Sequence, residues 1–302
     1  MPAGGRGTIG LPFVASGRQW LAGARPRTLP ASLSGVLVGS GAAADLHAFS
    51  FGRAVLAAVV ALALQIGANY ANDYSDGVRG TDAERVGPMR LTASGAAAPR
   101  HVKLAAFVSF GIAALAGLGL VAVSRTWWLV AVGAAAILGA WFYTGGTRPY
   151  GYRGLGELSV FVFFGLFATL GTTYTQAVRV SWPAVLGAVG VGLLACGLLM
   201  ANNLRDIPTD VLAGKRTLAV RLGDHRARQA YQWFVAVPVL LGMACAAWAP
   251  WSLLVVLLIP AGAALAVAVR AGARGIALVP VLAGTGLLEL GYGVLLGLGL
   301  AF

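Results

Sequence analysis

Acidic residues are scarce in this chain. Only ten of its 302 residues are Asp or Glu, against 22 Lys and Arg, and charged residues make up 11% of the sequence. So low a charge content excludes an ordinary water-soluble surface. Six of the ten acids nevertheless fall within two short stretches, 73–84 and 206–210, and solvated surface charge is not clustered in this way.

Cysteine and histidine are also rare. Cys196 and Cys245 lie singly in apolar runs, without any Cys-x-x-Cys or Cys/His spacing, which argues against a disulfide or a thiolate metal site and favours plain packing. The three histidines lie near predicted loops or helix ends and pair with no recognisable nucleophile. The sequence therefore predicts no catalytic site built on thiol or imidazole.

Hydrophobic residues, by contrast, are abundant at 58%, and the mean hydropathy is +0.80. Nine apolar runs reach the roughly 17–25 residues that a helix needs to cross a bilayer. They are 28–45, 51–72, 102–124, 127–144, 156–178, 183–204, 229–248, 251–270 and 279–301. Many of the 43 glycines lie inside these runs, as in membrane helices that approach closely through small residues. The pattern predicts an all-α membrane protein with about nine transmembrane helices.

The basic residues indicate how these helices are oriented. With the N-terminus inside, 19 Lys and Arg lie on the inner side and only Arg53, Arg125 and Arg179 on the outer side. This asymmetry is the positive-inside pattern. The net charge of +12 therefore reflects the orientation of the helices and contact with anionic lipid, and it does not indicate nucleic-acid binding. We expect a basic cytoplasmic segment over 1–27 and a single transmembrane domain over 28–302, in the cell membrane.

The first acidic cluster comprises Asn72, Asp73, Asp76 and Asp82. It directly follows the second apolar run, so it is predicted to lie where a membrane helix ends. Spacings of i,i+3 and i,i+4 predict that Asn72, Asp73 and Asp76 share a helix face. Gly77 and Gly80 then allow the backbone to turn, so that Asp82 returns to the same region from the loop.

The second acidic cluster comes 130 positions later, at the end of the sixth apolar run. Asn202, Asp206 and Asp210 follow i,i+4 spacing, and Pro208 predicts a break or kink in the helix. Both clusters are predicted to lie on the cytoplasmic side. Two clusters in equivalent positions suggest one shared site.

Both clusters offer oxygen ligands without His or Cys, which suits a hard cation, Mg²⁺ above all, sharing its coordination shell with substrate phosphates. Two unit charges about 4 Å apart interact by about 4 kcal/mol at an effective dielectric of 20, so bare carboxylates would repel a diphosphate. A divalent ion between them converts that repulsion into attraction.

Several basic residues accompany the clusters. Arg79, Arg85 and Arg90 follow the first one, and Arg148 and Arg153 lie in the glycine- and tyrosine-rich segment 143–157. By residue type these arginines suit phosphate binding. Arg148 and Arg153 also suit a wall that stabilises a cation, together with the three tyrosines of this segment, Tyr143, Tyr150 and Tyr152. The alternative for each arginine is that it serves only as positive charge that orients the helices in the membrane. The same two alternatives stay open for Arg25 and Arg27.

Two further features of the apolar runs stay open. Phe161, Phe163, Phe164 and Phe167 in the fifth run either line a tunnel for an apolar substrate or, as is commoner, pack against helices and lipid. Glu289 lies inside the last run, where a carboxyl is a functional candidate by default. No role is assigned to it.

A shift of 130 positions aligns residues 71–76 with 201–206, three of six being identical, and carries the first four helices roughly onto the next four. Because four helices separate the copies, both run in the same direction. The shift therefore predicts two parallel four-helix repeats plus a last helix, with the acidic clusters facing each other across a central cavity.

At these residues the chain resembles the UbiA-type intramembrane aromatic prenyltransferases, and within them the MenA type, which uses 1,4-dihydroxy-2-naphthoate. The motifs that carry the resemblance span nearly the whole chain: residues 24–30, Asn-Asp-x-x-Asp at 72–76, 87–91, 148–157, Asn-Asn-x-Arg-Asp at 202–206 and 214–220. The broader pattern places a last aspartate where this chain has Gly80, with Asp82 two residues later. That spacing is similar to the MenA type and argues against 4-hydroxybenzoate and heme O enzymes.

The resemblance implies Mg²⁺-dependent transfer of a polyprenyl group from polyprenyl diphosphate to 1,4-dihydroxy-2-naphthoate, with loss of CO₂, giving demethylmenaquinone in menaquinone synthesis. The implied metal ligands are Asp73, Asp76, Asp82, Asp206 and Asp210. The diphosphate would be bound by Arg79, Arg90, Arg148, Arg153 and Lys215. Asn72 and Tyr143 would stabilise the allylic cation as the diphosphate leaves.

Three rival functions make different demands on the sequence. A UbiA-type enzyme with another aromatic acceptor would share the whole donor site. CDP-alcohol phosphotransferases begin their motif Asp-Gly-x-x-Ala-Arg, whereas Gly80 and Thr81 follow Arg79 here. A cation-coupled transporter would place its acids near mid-membrane, whereas these lie at predicted helix ends.

Overall fold

The computed structural model describes residues 15–81 and 89–302, and within these ranges the chain is helical without any β-strand. The α-helices are α1 Gly17–Gly23, α2 Leu29–Asp45, α3 Phe51–Arg79, α4 Pro99–Ser124, α5 Leu129–Phe142, α6 Gly156–Val160, α7 Ala168–Ala177, α8 Trp182–Leu212, α9 Leu218–Ala244, α10 Ile259–Arg270 and α11 Leu278–Ala301. A π-helical segment, Phe161–Phe167, joins α6 to α7, and 3₁₀ turns occupy Tyr150–Arg153, Cys245–Ala247, Pro250–Leu258 and Gly275–Ala277. The predicted all-α class is confirmed.

Seven helical segments of the described chain are long and apolar enough to cross a membrane. They are Phe51–Arg79, Pro99–Ser124, Gly156–Ala177, Trp182–Leu212, Leu218–Ala247, Pro250–Arg270 and Gly275–Ala301. The remaining two predicted runs also form helices, but α2 has only 17 residues and α5 only 14. The structure therefore does not confirm the count of nine spanning helices.

Three long helices extend well past their apolar runs. Helix α3 continues to Arg79 and α8 to Leu212, so the last turns of α3 hold Asp73 and Asp76 and those of α8 hold Asp206 and Asp210. Helix α8 continues through Pro208 without a break, and the alternative of a kink there stays a prediction. Helix α9 begins eleven residues before its predicted start because the charged stretch 218–228 also forms helix, interrupted by the non-helical backbone of Gly223.

The helix bounds follow the 130-residue shift closely. When 130 is added to its residue numbers, α2 becomes 159–175, which lies inside the observed helical segment 156–177. In the same way α3 becomes 181–209, and α8 is observed at 182–212. Helix α5 gives 259–272, against 259–270 for α10. Helix α4 is the exception, since 229–254 crosses from α9 into the following 3₁₀ turns. Asp76 and Asp206 thus occupy corresponding helix ends.

Helices α2 and α11 pack closely against each other. A Cβ added to Gly41 on α2 would overlap the carbonyl of Gly297 on α11, so the two backbones meet with no side chain between them. Ser34 on α2 donates a hydrogen bond to the backbone carbonyl of Glu289, at 2.8 Å. This α2–α11 contact closes the cavity on one side.

Candidate active site

One cavity of about 1080 Å³ lies between α2, α3, α4, α5, the π-helical segment, α7, α8 and α11. Its polar lining comes mainly from the last turns of α3 and α8 and from the segments at 143–152 and 215–217. Helices α4 and α5 contribute only glycine and apolar side chains. The cavity therefore joins a polar site to an apolar chamber.

The structure divides the first acidic cluster. Asn72 and Asp76 line the cavity, whereas Asp73 is buried beside the 89–95 loop, where its two carboxylate oxygens accept the backbone N–H groups of Leu91 (2.8 Å) and Thr92 (2.9 Å). Successive residues on a helix lie about 100° apart, which turns Asp73 away from Asn72. In this structure Asp73 fixes the loop, and its metal role stays a prediction. The predicted ligand Asp82 lies outside the described residues.

Gly77 contributes to the same loop contact. It remains helical and does not turn the chain; an added Cβ there would lie 2.5 Å from the Cβ of Thr92. The predicted turn comes at the second of the two glycines, Gly80, whose φ of 72° ends α3 in the left-handed region. Gly77 thus allows the 89–95 loop to pack directly on α3.

Asp76 lies at the centre of a polar contact between α3 and two loops. It is 5% exposed, accepts a hydrogen bond from the Tyr152 hydroxyl, and lies 3.6 Å from the Lys215 ammonium. The Lys215 nitrogen is also 4.6 Å from the centre of the Tyr152 ring. Burial first, and then the Asp76 carboxylate, raise the pKa of Tyr152, so its phenol keeps the proton that it donates.

The second acidic cluster faces the cavity as its i,i+4 spacing predicts: Asn202, Asp206 and Asp210 all line it. Arg205 forms a two-pronged ion pair with Asp206 (Nε–Oδ1 2.7 Å, Nη2–Oδ2 2.8 Å) and also donates to Asn202 Oδ1 at 2.9 Å. Arg205 and Asp206 are only 7% and 6% exposed, so this arrangement is largely shielded from water. Arg205 orients the carboxylate.

The predicted diphosphate ligands lie in three different places. Arg90 and Lys215 line the cavity. Arg79 instead donates to the backbone carbonyls of Thr144 and Gly146. Arg148 and Arg153 line a separate cleft on the other side of Tyr152. Their role at the donor diphosphate stays a prediction, and it would require the diphosphate to reach past Tyr152. Arg85 lies outside the described residues.

The tyrosine-rich segment and Asn72 form one wall of the cavity. Tyr143, Tyr150 and Tyr152 all line it, and Asn72 accepts a hydrogen bond from the Thr144 hydroxyl at 2.8 Å. This bond fixes the orientation of the Asn72 amide, and it occupies only one of the two lone pairs of the amide oxygen. Tyr143 and Asn72, the residues expected to stabilise an allylic cation, therefore share one wall.

The apolar chamber includes part of the phenylalanine run. Phe163, Phe164 and Phe167 line the cavity, and Phe161 does not. Arg25 and Arg27 line the cavity near the start of α2, so both lie where they can face a substrate. Glu289 lies at the wall on α11, fully buried.

The donor set suits Mg²⁺. Asp76, Asp206 and Asp210 present carboxylate oxygens to one cavity, with the amide oxygens of Asn72 and Asn202 nearby, and Mg²⁺ prefers such ligands. Within residues 15–81 and 89–302, no three His, Cys, Asp or Glu side chains lie close enough to hold an ion by themselves. An ion here would therefore take much of its shell from water or from a bound diphosphate.

Sequence reasoning missed Arg205 and Thr144. Arg205 lies inside the quoted Asn-Asn-x-Arg-Asp motif, and a charged residue in a membrane helix must have a buried partner, so this signal was present. Thr144 carries no such signal, because its contact with Asn72 depends on how α5 ends beside α3.

Residues 32–300 match the UbiA prenyltransferase family. The chain is 54% identical over 289 residues to the 1,4-dihydroxy-2-naphthoate octaprenyltransferase of Mycobacterium tuberculosis, covering 96% of this chain and 99% of that protein. Its fold is similar to a UbiA homolog from Aeropyrum pernix in its apo form (TM-score 0.68, 18% identity, 90% and 96% of the two chains). It is also similar to a UbiA homolog from Archaeoglobus fulgidus bound to GPP and Mg²⁺ (TM-score 0.66, 16% identity, 92% and 99%).

Proposed function

The chain belongs to the UbiA prenyltransferase family, and from this premise we propose that it transfers a polyprenyl group from polyprenyl diphosphate to 1,4-dihydroxy-2-naphthoate. The bond between the first prenyl carbon and the diphosphate breaks, a bond from that carbon to the naphthalene ring forms, and the carboxylate of the naphthoate is lost as CO₂. The product is a demethylmenaquinol, the reduced form of demethylmenaquinone, which is a precursor of menaquinone.

The observation that supports this function most directly is the composition of the cavity. Two acidic helix ends, carrying Asp76 and Asp206, meet at one polar site that opens into an apolar chamber. A polyprenyl diphosphate has the same two parts, a multiply charged head and a long hydrocarbon tail. The identity of 54% to a naphthoate octaprenyltransferase supports the acceptor.

Mg²⁺ would be held by Asp76, Asp206 and Asp210, with Asp73 and Asp82 as further predicted ligands. When bound, it supplies positive charge that neutralises the diphosphate and makes it a better leaving group. Lys215 and Arg90 add fixed cations from the cavity wall. Tyr152 and Arg205 hold the Asp76 and Asp206 carboxylates in position.

The allylic carbon becomes electron-poor as the diphosphate departs. Asn72 and Tyr143 are the wall residues proposed to stabilise it, through the amide oxygen dipole and the face of the phenol ring. The apolar lining from α4, α5 and the phenylalanines excludes water that would otherwise compete with the naphthoate ring.

We place the chain in the cell membrane with the N-terminus and the active site on the cytoplasmic side. The distribution of 19 inner and three outer basic residues supports this orientation. Diphosphate substrates and Mg²⁺ would then reach the site from the cytoplasm.

The test is product formation by the purified chain in detergent, from 1,4-dihydroxy-2-naphthoate and isoprenyl diphosphates, with Mg²⁺ or with EDTA. We expect prenylated naphthoquinol only with the metal, and a rate at least about 100-fold lower for Asp76→Asn. Asp45→Asn is the matched control, since Asp45 ends α2 and does not line the cavity. It should retain the wild-type rate.

Two outcomes would change the assignment. If folded protein gives no naphthoquinol with any chain length but prenylates another phenolic acid, the acceptor is wrong and the rival UbiA-type function holds. Prenylation that persists in EDTA would contradict the metal role.

A further inference from the structure

A second cleft of about 440 Å³ lies beside the catalytic cavity. Its lining contains four arginines, Arg148, Arg153, Arg216 and Arg221, together with Pro149, Tyr152 and Gly214. All four arginine side chains are exposed. We call this feature the arginine cleft.

The arginine cleft is held together by backbone contacts between two segments far apart in sequence. The backbone N–H of Arg216 donates to the carbonyl of Tyr152 at 2.8 Å, which joins the 214–217 loop to the 150–153 turn. Arg221 Nε donates to the Arg216 carbonyl at 3.2 Å. Gly154, with φ of 77°, allows this approach, since an added Cβ would lie 2.7 Å from Arg221 Nε.

The cleft and the cavity share one wall, the Tyr152 side chain. Successive residues of the 214–217 loop line different pockets. Lys215 lines the cavity and lies 3.6 Å from Asp76, whereas Arg216 lines the cleft. The cleft thus has its own set of cations, which does not include the cavity residues Lys215 and Arg90.

The charge in the arginine cleft lacks acidic partners among the described residues. In the parts of the chain that the structure describes, no Asp or Glu forms an ion pair with any of the four arginines. Like charges held in one cleft repel each other, and an anion relieves that repulsion. Guanidinium groups present planar pairs of donors that match the oxygens of a phosphate group.

We propose that the arginine cleft binds a phosphate-bearing anion at a site distinct from the catalytic cavity. The ligand chemistry is a phosphate or diphosphate group, supplied either by the headgroup of an anionic membrane lipid or by free diphosphate. Because arginines alone make the site, binding requires no divalent metal, which separates it from the cavity.

The experiment uses the full chain in nanodiscs of phosphatidylcholine, with EDTA present, and titrates inorganic diphosphate by calorimetry. The test variant is Arg216→Gln/Arg221→Gln. Arg226→Gln is the matched control, because Arg226 is an exposed arginine shortly after Arg221 in sequence but outside the cleft. Arg90→Gln reports on the cavity, because Arg90 is an arginine of the cavity lining and lies outside the cleft. A second arm uses nanodiscs containing phosphatidylglycerol and measures lipid retained by the purified chain.

If free diphosphate is the ligand, wild type binds it without metal and the double variant binds at least about tenfold more weakly. Both Arg226→Gln and Arg90→Gln then bind as wild type does. If a lipid headgroup is the ligand, phosphatidylglycerol is retained by wild type and by Arg226→Gln, and retention is lost in the double variant. The proposal is overturned if the double variant binds diphosphate and retains phosphatidylglycerol as well as Arg226→Gln does. Diphosphate binding lost in Arg90→Gln alone would overturn it as well, since that places the anion in the cavity.

Discussion

Arg205 offers the sharpest test of how the acidic site is built, and Arg205→Met is the change to make. Methionine keeps much of the side-chain volume but removes three hydrogen bonds, two to Asp206 and one to Asn202. The Asp206 carboxylate, only 6% exposed, is left without its arginine. Removing one partner of a buried ion pair costs about 3–5 kcal/mol of stability.

The expected result is a thermal midpoint several degrees lower and a kcat/KM reduced about 10- to 100-fold, since Asp206 loses the contact that orients it. Prenylation of 1,4-dihydroxy-2-naphthoate at saturating Mg²⁺ and a thermal unfolding scan in the same detergent measure the two quantities.

Arg228→Met is the matched control. Arg228 is also 7% exposed and forms a two-pronged pair, with Asp224 on α9, but it does not line the cavity. It should lower the midpoint and leave the kcat/KM of the remaining folded protein near the wild-type value. Equal losses of activity in the two variants, or an unchanged kcat/KM in Arg205→Met, would refute the orienting role.

Two further predictions concern the first acidic cluster. Gly77→Ala should lower stability by about 1–3 kcal/mol, because its Cβ would lie 2.5 Å from Thr92, whereas Gly111→Ala, with open space around it, should be neutral or slightly stabilising; thermal midpoints compare the two. Tyr152→Phe keeps the ring but removes the hydroxyl that donates to Asp76, and should reduce kcat/KM about tenfold or more in initial-rate measurements. Wild-type rates in this variant would show that Asp76 does not depend on that hydrogen bond.

Hydropathy located the membrane helices because the transfer of apolar side chains into lipid is what stabilises them most along their length. It did not locate their ends. Backbone hydrogen bonding continues α3 and α8 into polar sequence after their apolar runs have stopped. Helix α9 begins in polar sequence before its run, with an interruption at Gly223.

Helical spacing predicted the positions of Asn202, Asp206 and Asp210 because all three lie on one regular helix. It did not predict the contact of Arg205 with Asp206, since adjacent helix residues do not normally face each other, and here the long guanidinium side chain reaches around.

The directions of loop side chains could not be predicted. Lys215 and Arg216 are adjacent and equally basic, yet one enters the cavity and the other the arginine cleft. The irregular backbone of the 214–217 loop, fixed by its bond to Tyr152, decides this, and no sequence period describes it.

The contact between α2 and α11 has a consequence for biosynthesis. Gly41 and Ser34 lie on α2 and their partners Gly297 and Glu289 lie on α11, and 255 residues separate Ser34 from Glu289. This face of α2 therefore lacks its partner until α11 has been synthesised and inserted. The part of the cavity wall that the two helices share forms only after the helices between them have been made.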